Sequence, residues 1–269
     1  MVWKPGNRSA QRALEDPYIN VPAHLAQPLW DWISDSLNPG GYIPPRYQGV
    51  AVSLRVHLPG SVDPNRYFRE LCNKDPEFML DVVETLLEHF GWDDGRAENL
   101  AVLLEAGNSA YRVRDDWVGL EDRVAPGVRQ LVAETVTTAA GSAGDHLANA
   151  WNEAYGRSQD PVKAYSEAIK AVEAAFAPLV SPQNAKQTLG TMIRDVKAKP
   201  AKWKFVIADG NANGVEVILN LMQMLWDGQT SRHGGLNPTR DETAEEARAA
   251  VHLAATLVQL GVSKAFDSV

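Results

Sequence analysis

Apolar and polar residues alternate along this chain mainly with a helical period. From Val21 to Leu37 the apolar positions Leu25, Leu29, Trp30, Ile33 and Leu37 recur at steps of three and four, which predicts a helix. Asn38-Pro39-Gly40-Gly41 ends it, and Pro44-Pro45 predicts extended backbone beyond. Residues 49–58 read as either a short strand or an apolar connector. Asp63-Pro64 and Asp75-Pro76 each combine an N-cap with a proline at the first helical position, and so predict two helix starts. The second helix carries Phe78, Met79, Val82, Val83, Leu86, Leu87 and Phe90, and Gly91 is its expected stop. Ala97 to Ala106 predicts one more helix.

Between Ser109 and Val124 the period changes. Tyr111, Val113, Trp117, Val118 and Leu120 alternate with charged residues around Asp115-Asp116, the pattern of a small two-stranded hairpin. This makes a seam, and a domain boundary is placed between residues 1–124 and 125–269. The second part predicts an alanine-rich helical stretch to Tyr155, softened by Gly141 and Gly144. A helix opened by Asp160-Pro161 follows, with Val162, Tyr165, Ile169, Val172 and Phe176 on one face and Pro178 and Pro182 as stops. On that helix Lys163 and Glu167 are spaced as an exposed ion pair. Thr188 to Lys199 predicts a shorter helix. Val215 to Trp226 and Ala247 to Leu260 predict two more, the last started by a capping box of Thr243 with Glu246. The expected class is all-α: a helical N-terminal domain, a small β-hairpin, and a C-terminal bundle of four or five helices.

Composition narrows the chemistry. The 269 residues are 45% hydrophobic, enough for a sizeable core, and the net charge of −8 argues against a broad basic face for duplex DNA. A single cysteine, Cys72, forbids an internal disulfide and fits a reducing compartment; it reads as a small buried hydrophobe. No signal-peptide pattern and no apolar run of spanning length is present, so the expectation is a cytoplasmic protein without membrane contact. His24, His57, His89 and His146 show no metal-ligand spacing, and neither a metal nor a cofactor is expected. His252 lies in the apolar last helix and reads as a core residue, or as one facing the motif described next.

Between the last two predicted helices stands Arg232-His233-Gly234-Gly235. Arginine holds phosphate oxygens through a rigid fork of donors, and histidine exchanges a proton near neutral pH. His233 can take a 2′-OH proton while Arg232 steadies the charge on the phosphate, with Gly234 allowing close backbone approach. The same two residues at a helix end also serve simply as dipole and carbonyl caps. Lys186, Arg194, Lys197, Lys199, Lys202 and Lys204 enclose Trp203 and only one acid, Asp195. Lys202, Trp203 and Lys204 suit single-stranded RNA, or else form a solvated face whose tryptophan tucks into the bundle.

The order of these features resembles the C-terminal region of abortive-infection proteins of the HEPN superfamily. It runs from Ala168-Ile169-Lys170-Ala171-Val172-Glu173-Ala174 through Thr188-Leu189-Gly190 to Arg232-His233-Gly234 and the closing apolar helix. The resemblance covers roughly residues 130–265. It implies a helical bundle, often homodimeric with a cleft at the dimer interface, acting as a metal-independent endoribonuclease in phage defence or as a toxin. It also allows a non-catalytic module binding RNA or a regulatory protein. His233-Gly234 matches the histidine half of the superfamily motif. The arginine half is not matched, because Trp226, Asp227, Gly228 and Gln229 occupy the positions four to seven before His233. Arg232 or Arg240 would substitute for it. Glu173 corresponds to a polar position facing the motif, with the expected role of orienting His233. A homodimer is expected, packed through the alanine-lined helix 162–176 and the helices that flank the motif.

Overall fold

In the computed structural model, residues 16–39, 44–90, 95–139, 141–184, 186–207, 214–232 and 239–269 are described. The class is all-α, with eleven α-helices and two small two-stranded sheets among those residues. The chain divides into two compact units, 1–123 and 124–269, each with its own apolar core.

The first unit is built from α1 (Ala23–Leu37), α2 (Pro44–Ser53), α3 (Pro64–Lys74), α4 (Pro76–His89), α5 (Arg96–Ala106) and an antiparallel hairpin of β1 (Tyr111–Val113) and β2 (Leu120–Asp122). Asp63 and Asp75 cap as their positions predict. The Asp63 carboxylate accepts from the Arg66 N–H, and that of Asp75 accepts from Glu77 and Phe78. Residues 49–53 belong to α2 rather than to a strand or connector. Tyr47, Val50 and Ala51 are buried at helical spacing, and Pro44 and Pro45 occupy the first turn, where a missing N–H costs nothing. The hairpin is fastened by the Glu84 carboxylate, which accepts the Leu120 N–H at 2.8 Å. Cys72 is buried, and its thiol is pushed up to about 12 by that burial. The expected stop at Gly91 lies outside the described residues.

The second unit contains α6 (Pro126–Thr138), α7 (Ala143–Tyr155), α8 (Pro161–Val180), α9 (Leu189–Ala198), α10 (Gly214–Asp227) and α11 (Ala244–Val262). The break between α6 and α7 includes Gly141 at φ +63°, a conformation glycine adopts without a Cβ penalty. Helix α8 is the central element, packed along most of its length against α7 and α11. Its alanines at 164, 168, 171 and 175 are buried inside this unit, so the face expected to join a second copy is already occupied. Pro178 lies within the last turn of α8 rather than ending it, and that turn is closed by the Ser181 N–H on the Ala177 carbonyl. The capping box expected of Thr243 with Glu246 forms on α11, and a second, Thr188 with Thr191, starts α9. Strand β3 (Trp203–Phe205) pairs antiparallel with β4 (Phe266–Ser268), a contact the helical pattern does not announce. No helix among the described residues is long and apolar enough to cross a membrane.

Candidate functional site

The end of α10 and the segment after it gather most of the unusual chemistry. Glycine at 190, in the first turn of α9, leaves room for the Trp226 ring: a methyl group there would come within 2.8 Å of the indole. On that ring lies the guanidinium of Arg232, 3.4 Å from its centroid, and Nη1 donates to the Trp226 carbonyl at 2.9 Å. A cation stacked on an aromatic face while hydrogen-bonded to the same residue's backbone has little freedom left. Burial lowers the Arg232 pKa, against the charges of Asp227 and Glu173. The guanidinium stays cationic, because arginine ordinarily titrates far above neutral pH.

Two further anchors fix the segment between Trp226 and Arg232. Tyr165 on α8 donates its hydroxyl to the Leu225 carbonyl at 3.1 Å, and Gly228 allows this because any side chain there would collide with that hydroxyl. Desolvation pushes the Tyr165 phenol up to about 12. Glu242, only 4% exposed, accepts from the Ser231 N–H and hydroxyl, both at 2.8 Å, and from the Thr230 hydroxyl at 3.3 Å. Burial opposes ionisation of Glu242, but these donors prevail and bring its pKa below the ordinary value. Glu242 is a site residue that the sequence reading missed. Its sequence signal was faint, the second of two adjacent acids, Asp241 and Glu242, directly ahead of a capping box.

Glu173, on α8, reaches the start of α9 with its carboxylate. Its Oε1 accepts the Leu189 N–H at 2.6 Å, so the carboxylate sits where a helix N-terminus attracts an anion. Burial raises its pKa, and the Leu189 N–H and the charges of Arg232, Lys170 and His146 oppose that rise. Its hydrogen bond caps α9, a use distinct from the one expected. His233 and Gly234, the other half of the expected motif, lie outside the described residues.

Other expected residues are placed elsewhere. Arg240 forms a two-pronged ion pair with Glu246, at 2.7 and 2.5 Å, and is thereby committed to the start of α11. That pairing lowers the Glu246 carboxyl to about 2. Trp203 stacks on Phe266 at 5.5 Å and packs against the core, so its ring serves the fold and not as an open platform for a base. Lys204 on β3 and Lys202, in the short 3-10 turn just before it, are exposed, as are Lys186, Arg194, Lys197 and Lys199 earlier in the chain, which keeps the basic strip solvent-facing. His252 accepts or donates at the Tyr155 hydroxyl, 2.6 Å away, and burial lowers its pKa. The expected pairing of Lys163 with Glu167 is not formed. Lys163 instead meets Glu153, while Glu167 is buried and binds His146 and Lys170.

Among the described residues, no group of three or more His, Cys, Asp or Glu side chains is placed to hold a metal ion. No known family, no curated protein and no solved structure matches the chain.

Proposed function

We propose that the second unit is an RNA-directed effector of the abortive-infection type, cleaving RNA as a metal-independent endoribonuclease. The observation that carries the reading is the Arg232 guanidinium, held over the Trp226 ring and under the charge of Glu173, whose carboxylate caps the start of α9. A fixed, permanently charged fork suits a phosphodiester, because it loses little freedom when it binds. His233 follows Arg232 directly in the chain and supplies the base that takes the 2′-OH proton. The 2′ oxygen then attacks phosphorus and the 5′ oxygen leaves. The exposed basic residues from Lys186 to Lys204 give the approaching strand a positive track, Lys202 and Lys204 included.

The test is purified protein incubated with single-stranded RNA in the presence of a chelator. Products ending in 2′,3′-cyclic phosphate, lost in both Arg232→Ala and His233→Ala, are the expected result. Equal cleavage by wild type and both variants would remove these residues from the reaction.

A second reading has its own support. Trp226, Asp227, Gly228 and Gln229 stand where the superfamily motif places its arginine, and Arg232 is already engaged with Trp226. A non-catalytic module that binds RNA or a regulatory protein fits these facts. Saturable RNA binding without turnover, weakened by Arg232→Ala and indifferent to His233→Ala, identifies it.

A further inference from the structure

Between the last turn of α8 and the loop that leads to α9 lies a cavity of about 370 Å³, at the lower end of the roughly 300–1,000 Å³ of small-molecule sites. Ala177, Pro178 and Pro182 give it apolar walls, and Gln183, Asn184 and Gln187 line it with carboxamides. Among the described residues, no charged side chain lines it. The walls hold their shape. Proline fixes φ at 178 and 182, and the Asn184 N–H closes a turn on the Ser181 carbonyl at 3.0 Å.

Two of the carboxamides have bonding capacity to spare. Asn184 Oδ1 accepts the Lys186 N–H at 3.1 Å, which leaves Nδ2 to donate. Gln187 Oε1 is buried and has no hydrogen-bond partner among the described residues. An unmet buried acceptor is a standing cost to the fold. The last torsion of a glutamine is broad, so this carboxamide can turn toward the cavity that it lines.

These features narrow the ligand. A neutral lining gives no seat to a phosphate or a metal cation. Apolar walls with one donor and one acceptor suit a nucleobase, whose faces are apolar and whose edge carries donors and acceptors side by side. The basic strip begins at Lys186, exposed and next to Gln187 in the chain, so phosphates find cations outside the cavity. The strip's own tryptophan, Trp203, is stacked on Phe266 and offers no platform for a base. The cavity supplies the base contact that the strip lacks.

We propose that this cavity is a nucleobase subsite of the RNA-binding surface, in which Asn184 and Gln187 pair with the edge of one unstacked base. The inference rests on the RNA-directed reading above, in its catalytic or its binding form. Each of the four bases carries a donor beside an acceptor, so the cavity takes a base without choosing one.

The experiment measures binding of the full chain, by fluorescence anisotropy, to a short 2′-O-methyl oligonucleotide that cannot be cleaved and to the same strand made abasic. Wild type should bind the base-bearing strand about tenfold more tightly than the abasic one. Gln187→Leu should lose about that tenfold on the base-bearing strand and stay within about twofold of wild type on the abasic strand. Ala177→Leu, which fills the cavity from α8, should behave in the same way. Gln187→Leu should also resist denaturant at least as well as wild type, because it removes a buried acceptor that has no partner. Equal affinity of wild type for the two strands overturns the subsite, as does an equal loss on both strands in Gln187→Leu and Ala177→Leu. If neither of these variants weakens binding while Arg232→Ala does, the subsite falls and the RNA-directed reading stands. A wild-type protein that binds neither strand overturns that reading, and the subsite with it.

Discussion

Arg232 and Trp226 form a closed pair: the guanidinium lies 3.4 Å from the ring centroid and donates to that residue's own carbonyl at 2.9 Å. The pair predicts that charge alone is not enough at position 232. Lysine has no planar fork and cannot cover the ring while bonding the carbonyl. Arg232→Lys is expected to cut RNA cleavage or binding at least tenfold while changing unfolding stability by less than about 1 kcal/mol. Denaturant unfolding alongside the RNA assay separates the two effects. A fully active lysine variant would show that only charge is read there.

The seat beneath the indole yields a second prediction. Gly190→Ala places a methyl group within 2.8 Å of the Trp226 ring, so the ring must shift. The expected cost is about 1–3 kcal/mol, with a change in near-ultraviolet circular dichroism and weakened RNA activity. Unchanged stability together with an unchanged spectrum would mean that the ring is not tightly seated.

Glu242 makes the local structure depend on pH. Its folded-state pKa lies below its ordinary value of 4.5, so its contribution is present above that value and disappears as pH falls through the folded-state pKa. Glu242→Ala is expected to cost about 2 kcal/mol at pH 7, because the Ser231 and Thr230 donors lose their acceptor. The gap between wild type and variant should shrink in acid. Unfolding curves at pH 7 and pH 3 measure it, and a gap that widened in acid would contradict the assignment.

Glu173 separates capping from charge. Its pKa is raised by burial, so folding penalises the ionised form, and stability should rise as pH falls through the folded-state pKa. Glu173→Gln keeps an acceptor for the Leu189 N–H and should be neutral or mildly stabilising at pH 7. Glu173→Ala removes the cap and should cost about 1 kcal/mol. Equal destabilisation by both would place the benefit in the charge instead.

Cys72 should be silent to thiol reagents in the folded protein, since burial holds its thiol near 12. One equivalent should react once the chain is unfolded in denaturant. Rapid modification of the native protein would mean that the first unit opens readily.

The features legible in the sequence are those closed by short-range bonds. Asp63, Asp75, Asp160, Thr188 and Thr243 each bond an N–H within three residues, so composition alone marks those helix starts. The features that were not legible depend on partners far along the chain. Trp203 meets Phe266 through a strand pairing that spans more than sixty residues. Lys163 and Glu167 have the spacing of a helical ion pair, but Glu153 and His146 arrive from α7 and take one each. Pro44-Pro45 predicted extended chain, but the pair starts a helix whose Tyr47 and Val50 are buried, contacts made with partners that the local sequence does not show. At the site, Arg232 and Glu173 were visible as chemistry. Glu242 was not, because nothing local reveals that its carboxylate reaches back to Ser231.

With bare backbone packed close to the indole and a guanidinium over the ring, position 226 is also an optical probe. Any ligand that draws the arginine toward itself strips one face of the chromophore. A ligand's arrival can therefore be followed by ultraviolet difference spectra, with no label attached and no turnover required.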